Sequence, residues 1–296
     1  MSRPALLPLL AALAAIPLCG ASCDRTPGPR PVEAGAPLRL GGLDLQVAVR
    51  SAERERRGAL SRIDALPEGH GVLLSWPRER FLKLETEHAR AAFDAALLDR
   101  AGAVTETGAI APGEVEGIVP GAEAAHALLL PPGTVGKAGI KPGDRATLPA
   151  GLAPEELPVV RVGGIPAYAE LALTEAERQH GLMFRPRMSA EDGMLFAYPA
   201  DGPRGFWMKN TMIPLDIAFF SSDGTLLNVN ETPMYPNPRH PPSAYTTSDS
   251  AGDARYILEM NLGWFRRKGL VDEQGRVYVT SGDAYDAAYE QRAAAG

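Results

Sequence analysis

The sequence predicts a mainly β protein made of two tandem copies of one small sandwich or barrel domain, each with one or two short helices. Three observations carry that expectation. The 296 residues include 31 Gly and 27 Pro, about a fifth of the chain where roughly 12% is usual, so turns are frequent and a bundle of long helices is disfavoured. Short apolar runs recur at regular spacing with turn residues between them. The chain also repeats itself, which doubles one architecture instead of building one large domain.

The repeat is read by sliding the chain along itself. A shift of 122 residues lays Arg39, Gly41 and Gly42 on Arg161, Gly163 and Gly164, then Glu53, Glu55, Arg56 and Leu60 on Glu175, Glu177, Arg178 and Leu182. Gly71, Leu73 and Pro77 meet Gly193, Leu195 and Pro199, and Asp94, Ala96 and Gly102 meet Asp216, Ala218 and Gly224. The shift then becomes 130, pairing Leu128, Gly133 and Gly139 with Leu258, Gly263 and Gly269; the extra eight residues fit the Pro-rich loop around Met234 to Pro242. An almost gapless register that aligns charged residues is not a coincidence of glycines. The copies run over 38–149 and 158–281, joined by a linker at 150–157.

In chain order, Arg3, an Ala/Leu-rich stretch from Ala5 to Leu18 and small residues before Cys23 have the three regions of an export signal, expected over residues 1–22. The stretch is too short for a membrane-spanning helix. Ser22 and Ala21 before Cys23 resemble a bacterial lipoprotein processing site, so Cys23 is the candidate lipidated residue and the expected location is exported, periplasmic or membrane-anchored. Residues 24–37 read as a Pro-rich tether. In the second copy, Tyr168, Glu170 and Ala172 alternate with Ala169 and Leu171 as in a half-buried strand. Thr174 with Glu177 forms a capping box and Gly181 a stop, which predicts a helix over Glu175–His180. Strands are expected at Met194–Tyr198, Phe206–Lys209, Leu215–Phe220, Thr225–Val229, Arg255–Met260 and Arg276–Thr280, with a hairpin turn at Ser222, Asp223 and Gly224. Residues 282–296 read as a polar, Ala-rich tail.

Composition excludes several functions. Thirty Lys plus Arg against 36 Asp plus Glu give a formal charge of −6, the wrong sign for a protein that gains affinity by neutralising phosphates, so no nucleic-acid partner is expected. Cys19 and Cys23 are the two cysteines, which leaves both copies without a disulfide, a thiolate metal site or a cysteine nucleophile. No metal or cofactor is expected. No nucleophile elbow, phosphate loop or zinc helix is present in the sequence.

Residues shared by the copies are explained by the fold. Glycines such as Gly41, Gly58 and Gly71, with partners at or near the same places, suit turns or positive φ. Asp94 and Asp216 begin apolar strands, where a carboxylate must accept hydrogen bonds, so each is expected to pin a loop. Arg56 and Arg178 are expected to be solvated or paired with a carboxylate. Residues peculiar to one copy point elsewhere. Phe206, Trp207, Met208, Lys209, Asn210 and Thr211, followed by Ile213, Pro214, Leu215 and Asp216, stand opposite Leu84, Glu85, Thr86, Glu87, His88 and Ala89. An aromatic, a cation and an amide within four residues suit an anionic or sugar-like ligand. Trp207, Lys209, Asn210 and Thr211 are therefore the candidate ligand-binding residues, with Arg185, which stands opposite Ile63. A tryptophan is also worth about 4–6 kcal/mol when buried, so Trp207 has a plain core reading as well. The seven methionines after Met1 all lie in the second copy and are read as adaptable packing. Asp216, with Glu259 or Glu177, is the weak candidate for acid/base catalysis.

Glu177, Arg178, Gly181, Leu182, Met183 and Arg185, then Gly193, Met194, Leu195 and Phe196, then Phe206 to Thr211 with Ile213 to Asp216 closely resemble the bacterial and archaeal family known as domain of unknown function 192. The resemblance covers about 158–280, and 38–149 looks like a decayed member without the Trp-Met-Lys-Asn-Thr run. It implies a small jelly-roll-like β domain, commonly in exported proteins, with Glu177, Arg178, Gly181, Gly193, Pro214 and Asp216 as its structural signature. It implies no reaction. The expected function is binding of a small anionic or carbohydrate-like molecule or envelope component. A hydrolase or lyase of an envelope polymer, and a structural or assembly protein, are the alternatives.

Overall fold

A computed structural model describes residues 35–272, apart from 57, 85, 87, 88, 115–119, 156 and 234–246. Cys23, the export signal, most of the tether, the Pro-rich loop from Met234 to Pro242, the strand expected at Arg276–Thr280 and the tail lie outside the described residues, as do Glu85, Glu87 and His88. Among the described residues no helix is long and apolar enough to cross a membrane.

The first copy contains β1 (Ala36–Leu40), β2 (Leu43–Arg50), α1 (Glu53–Arg56), β3 (His70–Arg80), β4 (Phe93–Leu98), β5 (Val104–Ile110), β6 (Ala124–Leu130), α2 (Thr134–Ala138) and β7 (Ala146–Thr147). Its strands form one sheet in the order β5-β4-β6-β3-β2-β1-β7. The second copy contains β8 (Val159–Val162), β9 (Ile165–Ala172), α3 (Glu175–His180), β10 (Asp192–Gly202), β11 (Gly205–Trp207), β12 (Leu215–Phe220), β13 (Leu226–Thr232), β14 (Thr247–Asp249), β15 (Ala254–Asn261) and α4 (Trp264–Arg267). Its main sheet runs β13-β12-β15-β10-β9-β8, with β11 and β14 as a separate pair. Without the short edge strand β7, the two orders are the same.

The register repeats as well. Val47 pairs with Gly71 and Ala169 with Gly193 in the one parallel pair of each copy. Phe93 pairs with Ile110 and Leu215 with Thr232; Leu73 pairs with Leu128 and Leu195 with Leu258. The structure is therefore two mainly β domains, as the strand spacing and the repeat predict, and the eight extra residues fall between β13 and β15. The helix over Glu175–His180 forms with its capping box: Thr174 Oγ1 accepts from Glu177 N at 3.3 Å, and Glu177 Oε2 accepts from Thr174 N at 2.9 Å.

Each sheet is covered on both faces. In the second copy Trp264 and Phe265 of α4 cap a cluster with Leu195, Ala218, Phe220 and Leu258, while Leu182, Met188, Phe206, Met208 and Ile213 cover Phe196, Ile217, Phe219 and Ile257 on the opposite face. That is why β4 and β12 are buried at every position instead of alternating. The methionines Met188, Met194 and Met208 belong to the second of these clusters and Met260 to the first, a packing role that suits their flexible side chains.

Gly71 and its counterpart Gly193 are not turn residues: they lie within β3 and β10 without a positive φ, and close strand approach explains them. A Cβ on Gly71 would lie 2.9 Å from the carbonyl oxygen of Leu129, and one on Gly193 would collide with the equivalent carbonyl of Glu259 and with Met260 Sδ. Gly193→Ala should therefore destabilise the protein by about 1–3 kcal/mol or more, measured as a lower urea midpoint; an unchanged midpoint would show that the β10–β15 spacing is looser than described.

Candidate functional site

The residues shared by the copies hold the frame. Arg56 Nη1 donates to the carbonyls of Ser51 and Ser75, the latter at 3.0 Å. Arg178 Nη1 makes the same two bonds to Leu173 and Ala197, the latter at 3.0 Å. Each guanidinium also stacks on the aromatic ring next along its strand, Trp76 for Arg56 and Tyr198 for Arg178. The two arginines, expected to be solvated or paired with a carboxylate, are thus strand-to-helix ties. Arg178 keeps a carboxylate partner, Glu175, at 3.1 Å, but Arg56 is almost wholly buried, because its carbonyl acceptors lie inside the domain. Glu177 Oε2 accepts from the backbone N–H groups of Leu173 and Thr174; Glu55 does the same at Ser51 and Ala52.

Asp216 accepts from Gly263 N at 2.8 Å and Phe265 N at 3.0 Å, and Asp94 accepts from Val135 N at 2.8 Å, the counterpart of Phe265. Both carboxylates pin the start of the helix after the β6- or β15-strand. Burial pushes the Asp216 carboxyl upward, and the two N–H donors oppose that shift. With both oxygens on backbone donors, Asp216 serves the loop.

The signature run divides by face. Phe206 stacks edge-on against Phe196 at 4.9 Å and Phe219 at 5.9 Å, and Met208 is buried beside them. Trp207 points outward, 46% exposed, with Lys209 Nζ 5.1 Å from its ring centre. Asn210 has a left-handed backbone, φ 55°, and its carbonyl accepts from the N–H of Phe184, itself at φ 58°. Asn tolerates that conformation, but a phenylalanine there carries about 1–3 kcal/mol of strain. Thr211 is buried, and Thr211 N donates to the Met208 carbonyl. Pro214 accepts from Leu262 N at 3.1 Å. Gly181 ends α3 at φ 49°, against the Phe196 ring.

Arg185 lies elsewhere. The residue is 5% exposed, and its guanidinium bonds Glu170 at 2.9 Å. The same Glu170 accepts from Arg80 of the first copy at 2.5 Å, and Arg80 also pairs with Asp192 at 2.9 Å, as does Arg78. Arg78 stacks on Tyr168 with its guanidinium 3.8 Å from the ring centre. Lys83 reaches His180 at 3.0 Å and the Met183 carbonyl at 2.8 Å, and Phe81 N donates to Ser189 at 3.1 Å. The end of β3 and the residues after it therefore dock the first copy onto β9, α3 and β10 of the second.

Beside this ion cluster lies a cavity of about 300 Å³ walled by both copies. Its apolar wall includes Leu60, Leu74, Trp76, Leu82, Leu171 and Met194. Its charged wall holds Arg56, Arg80, Lys83 and Arg185 against Glu53, Glu170 and Glu177, and the last of these is engaged in capping α3. Arg56, Arg80 and Arg185 are each more than nine-tenths buried. Among the described residues, Arg56 Nη2 and Arg185 Nε have no hydrogen-bond partner. Burial draws the Arg56 guanidinium down from its ordinary value, and it pushes the Asp192 carboxyl up against the pull of Arg80 and Arg78. Trp207, Lys209, Asn210 and Thr211 do not line the cavity; of the candidate binding residues, Arg185 does.

The family described as DUF192, Uncharacterized ACR, matches residues 37–148 and 159–276, one match to each copy. The chain belongs to the DUF192 family. A candidate transcription regulator from Sinorhizobium meliloti 1021 is 31% identical, over 44% of this chain and 91% of that one, with a TM-score of 0.34. A protein of unknown function from Novosphingobium aromaticivorans DSM 12444 is 32% identical, over 42% and 83%, with a TM-score of 0.35. No curated protein matches the chain.

The signature run does not point to the residues that build this contact; the differences between the two DUF192 copies do. Arg80 stands opposite Gly202, Lys83 opposite Gly205, Glu170 opposite Ala48 and His180 opposite Gly58, so these charges mark the contact between copies. Another such residue is Glu259 on β15, in the place of the fully buried Leu129. Its side chain is buried between Met194 and Ile217 in the strand register, and burial pushes its carboxyl up to about 8. The folded state thus keeps a proton that the unfolded state, at 4.5, gives up, so this group costs stability increasingly as pH rises from about 4.5 to about 8. Glu259→Leu should gain on the parent protein by roughly 3 kcal/mol between pH 4.5 and 7.5 in urea unfolding; a gap that does not change with pH would mean that Glu259 ionises normally.

Proposed function

We propose that the protein is an exported small-molecule-binding protein, and that its site is the cavity between the two copies, where a small anionic or sugar-like ligand is held. The observation that carries this reading is the charge of the cavity wall. Arg56, Arg80 and Arg185 are buried there beside Glu170, with two guanidinium nitrogens unsatisfied. A buried cation without a full set of acceptors is costly, and an anion or a ring of hydroxyl acceptors removes that cost. The apolar wall of Leu60, Leu74, Trp76 and Leu82 favours a body with little polarity behind the charged end. The N-terminal segment, with the pattern of an export signal, supports an extracytoplasmic setting.

This site needs both copies, and it gives the first copy a function without the signature run: it supplies Arg80 and Lys83 and one wall. Trp207 and Lys209 form a separate exposed face. The reading is tested by thermal unfolding and calorimetry with inorganic phosphate, acetate, citrate, hexanoate and glucose. At least one should raise the melting temperature in proportion to its saturation. Arg185→Gln, which leaves Glu170 still paired with Arg80, should weaken that binding tenfold or more, and Trp207→Ala should leave it unchanged. Binding lost in Trp207→Ala and kept in Arg185→Gln would move the site to the exposed face; no binding by any probe would favour a structural role.

A further inference from the structure

We infer that Glu259 is the second polar pole of this cavity site, a hydrogen-bond donor to an oxygen acceptor carried by the same anion that the guanidiniums hold. The inference rests on the cavity reading above. Glu259 of β15 stands directly opposite Met194 of β10, and Met194 directly opposite Glu170 of β9. Residues paired in this way share a face, and adjacent strands are about 4.8 Å apart. Glu259 therefore lies about 10 Å across the sheet from Glu170, on the face that walls the cavity. Glu170 and Met194 both line that cavity, so Met194 stands between the cavity and the carboxyl. Methionine is unbranched and turns easily about three bonds, and a turn of Met194 is the opening that contact between a cavity ligand and Glu259 requires.

The fold itself has no use for a carboxyl at this place. The first copy carries Leu129 there, fully buried in an apolar cluster. Among the described residues, no hydrogen bond or ion pair reaches the Glu259 side chain, although it is 6% exposed. Burying a carboxyl without a partner is costly even when it keeps its proton. A partner that is not part of the chain resolves the cost. Burial holds the group protonated at neutral pH, so the complementary partner is an acceptor: a keto, ester or amide oxygen several bonds from the anionic end. The ligand class is thus a short acid with a distal carbonyl.

The charged or titratable groups on this face are Tyr168 and Glu170 from β9, Asp192 and Tyr198 from β10, and Glu177, Arg178, His180 and Arg185 from α3 and the segment after it, with Arg56, Arg78, Arg80 and Lys83 of the first copy packed against them. Glu170 and Asp192 are held by guanidiniums, and burial pushes the Tyr198 hydroxyl upward. A substitution that keeps a donor but cannot titrate separates Glu259 from all of them.

The probes are hexanoate and 5-oxohexanoate, whose ketone oxygen accepts but cannot donate. Their affinities for the full chain are measured by calorimetry at pH 7 and pH 9. The parent protein should prefer 5-oxohexanoate by roughly fivefold at pH 7, the worth of one hydrogen bond, and lose most of that preference at pH 9. Glu259→Gln should keep the preference at both pH values. Glu259→Leu, which takes the first copy's residue, should show none while binding hexanoate as before. Equal affinities for the two probes at pH 7, or a preference that survives in Glu259→Leu, would overturn the role of Glu259 and leave the cavity reading standing. Failure of both probes to bind the parent protein would overturn the role of Glu259 and the short-acid ligand class, while binding of phosphate, citrate or glucose would still support the cavity reading.

Discussion

The organisation of this protein depends on a buried ion cluster that joins its two halves. Arg80 enters from the first copy and bonds Glu170 and Asp192 of the second, Arg78 adds to Asp192, and Arg185 closes on Glu170 from the other side. Three guanidiniums share two carboxylates. Buried ion pairs are poor sources of net stability, since desolvation offsets most of their attraction, but removing one partner is strongly destabilising. The cluster therefore fixes how the copies meet more than it stabilises either. The imbalance of charge also leaves the neighbouring cavity cationic, and from that imbalance the proposed ligand chemistry follows.

Duplication made this arrangement available. Both copies keep the same strand order, the same arginine ties, the same Asp-pinned loop and the same glycine under a β-strand carbonyl. Those features stabilise a fold whose central strands are buried on both faces. Divergence acted on what they leave unconstrained. The first copy kept an apolar face, Ala48, Val72, Ala95 and Leu129, where the second has Glu170, Met194, Ile217 and Glu259 across equivalent positions. At these four positions the first copy is all packing, whereas the second has two carboxyl groups on a face that the first copy helps to enclose.

Much of the fold is legible in the sequence because its cues are local. Thr174 with Glu177 specifies a helix start, alternating or continuous apolar runs specify strands, and self-similarity fixes the number of domains. Asp94 and Asp216 read as loop pins because a carboxylate beside an apolar strand has few other roles. The cavity is not legible in this way. Arg78, Arg80, Glu170 and Asp192 are up to 114 positions apart in the chain, and no local pattern says that one copy's strand end docks on the other's sheet. Trp207 stands out in the sequence instead, because its size suggests either core or site; its exposure, with Phe206 and Met208 facing inward, answers the core question alone. Arg185 is the one candidate that points to the cavity, through its contrast with Ile63.

Surplus buried guanidinium charge makes the space between the copies an anion site, and the proposed function stands or falls on that claim. Anomalous diffraction from a crystal soaked in sodium bromide tests it with the simplest anion, whatever the natural ligand. A bromide peak is predicted inside the cavity within reach of Arg56 or Arg185; bromide confined to exposed lysines and arginines, with the cavity unoccupied, would contradict it.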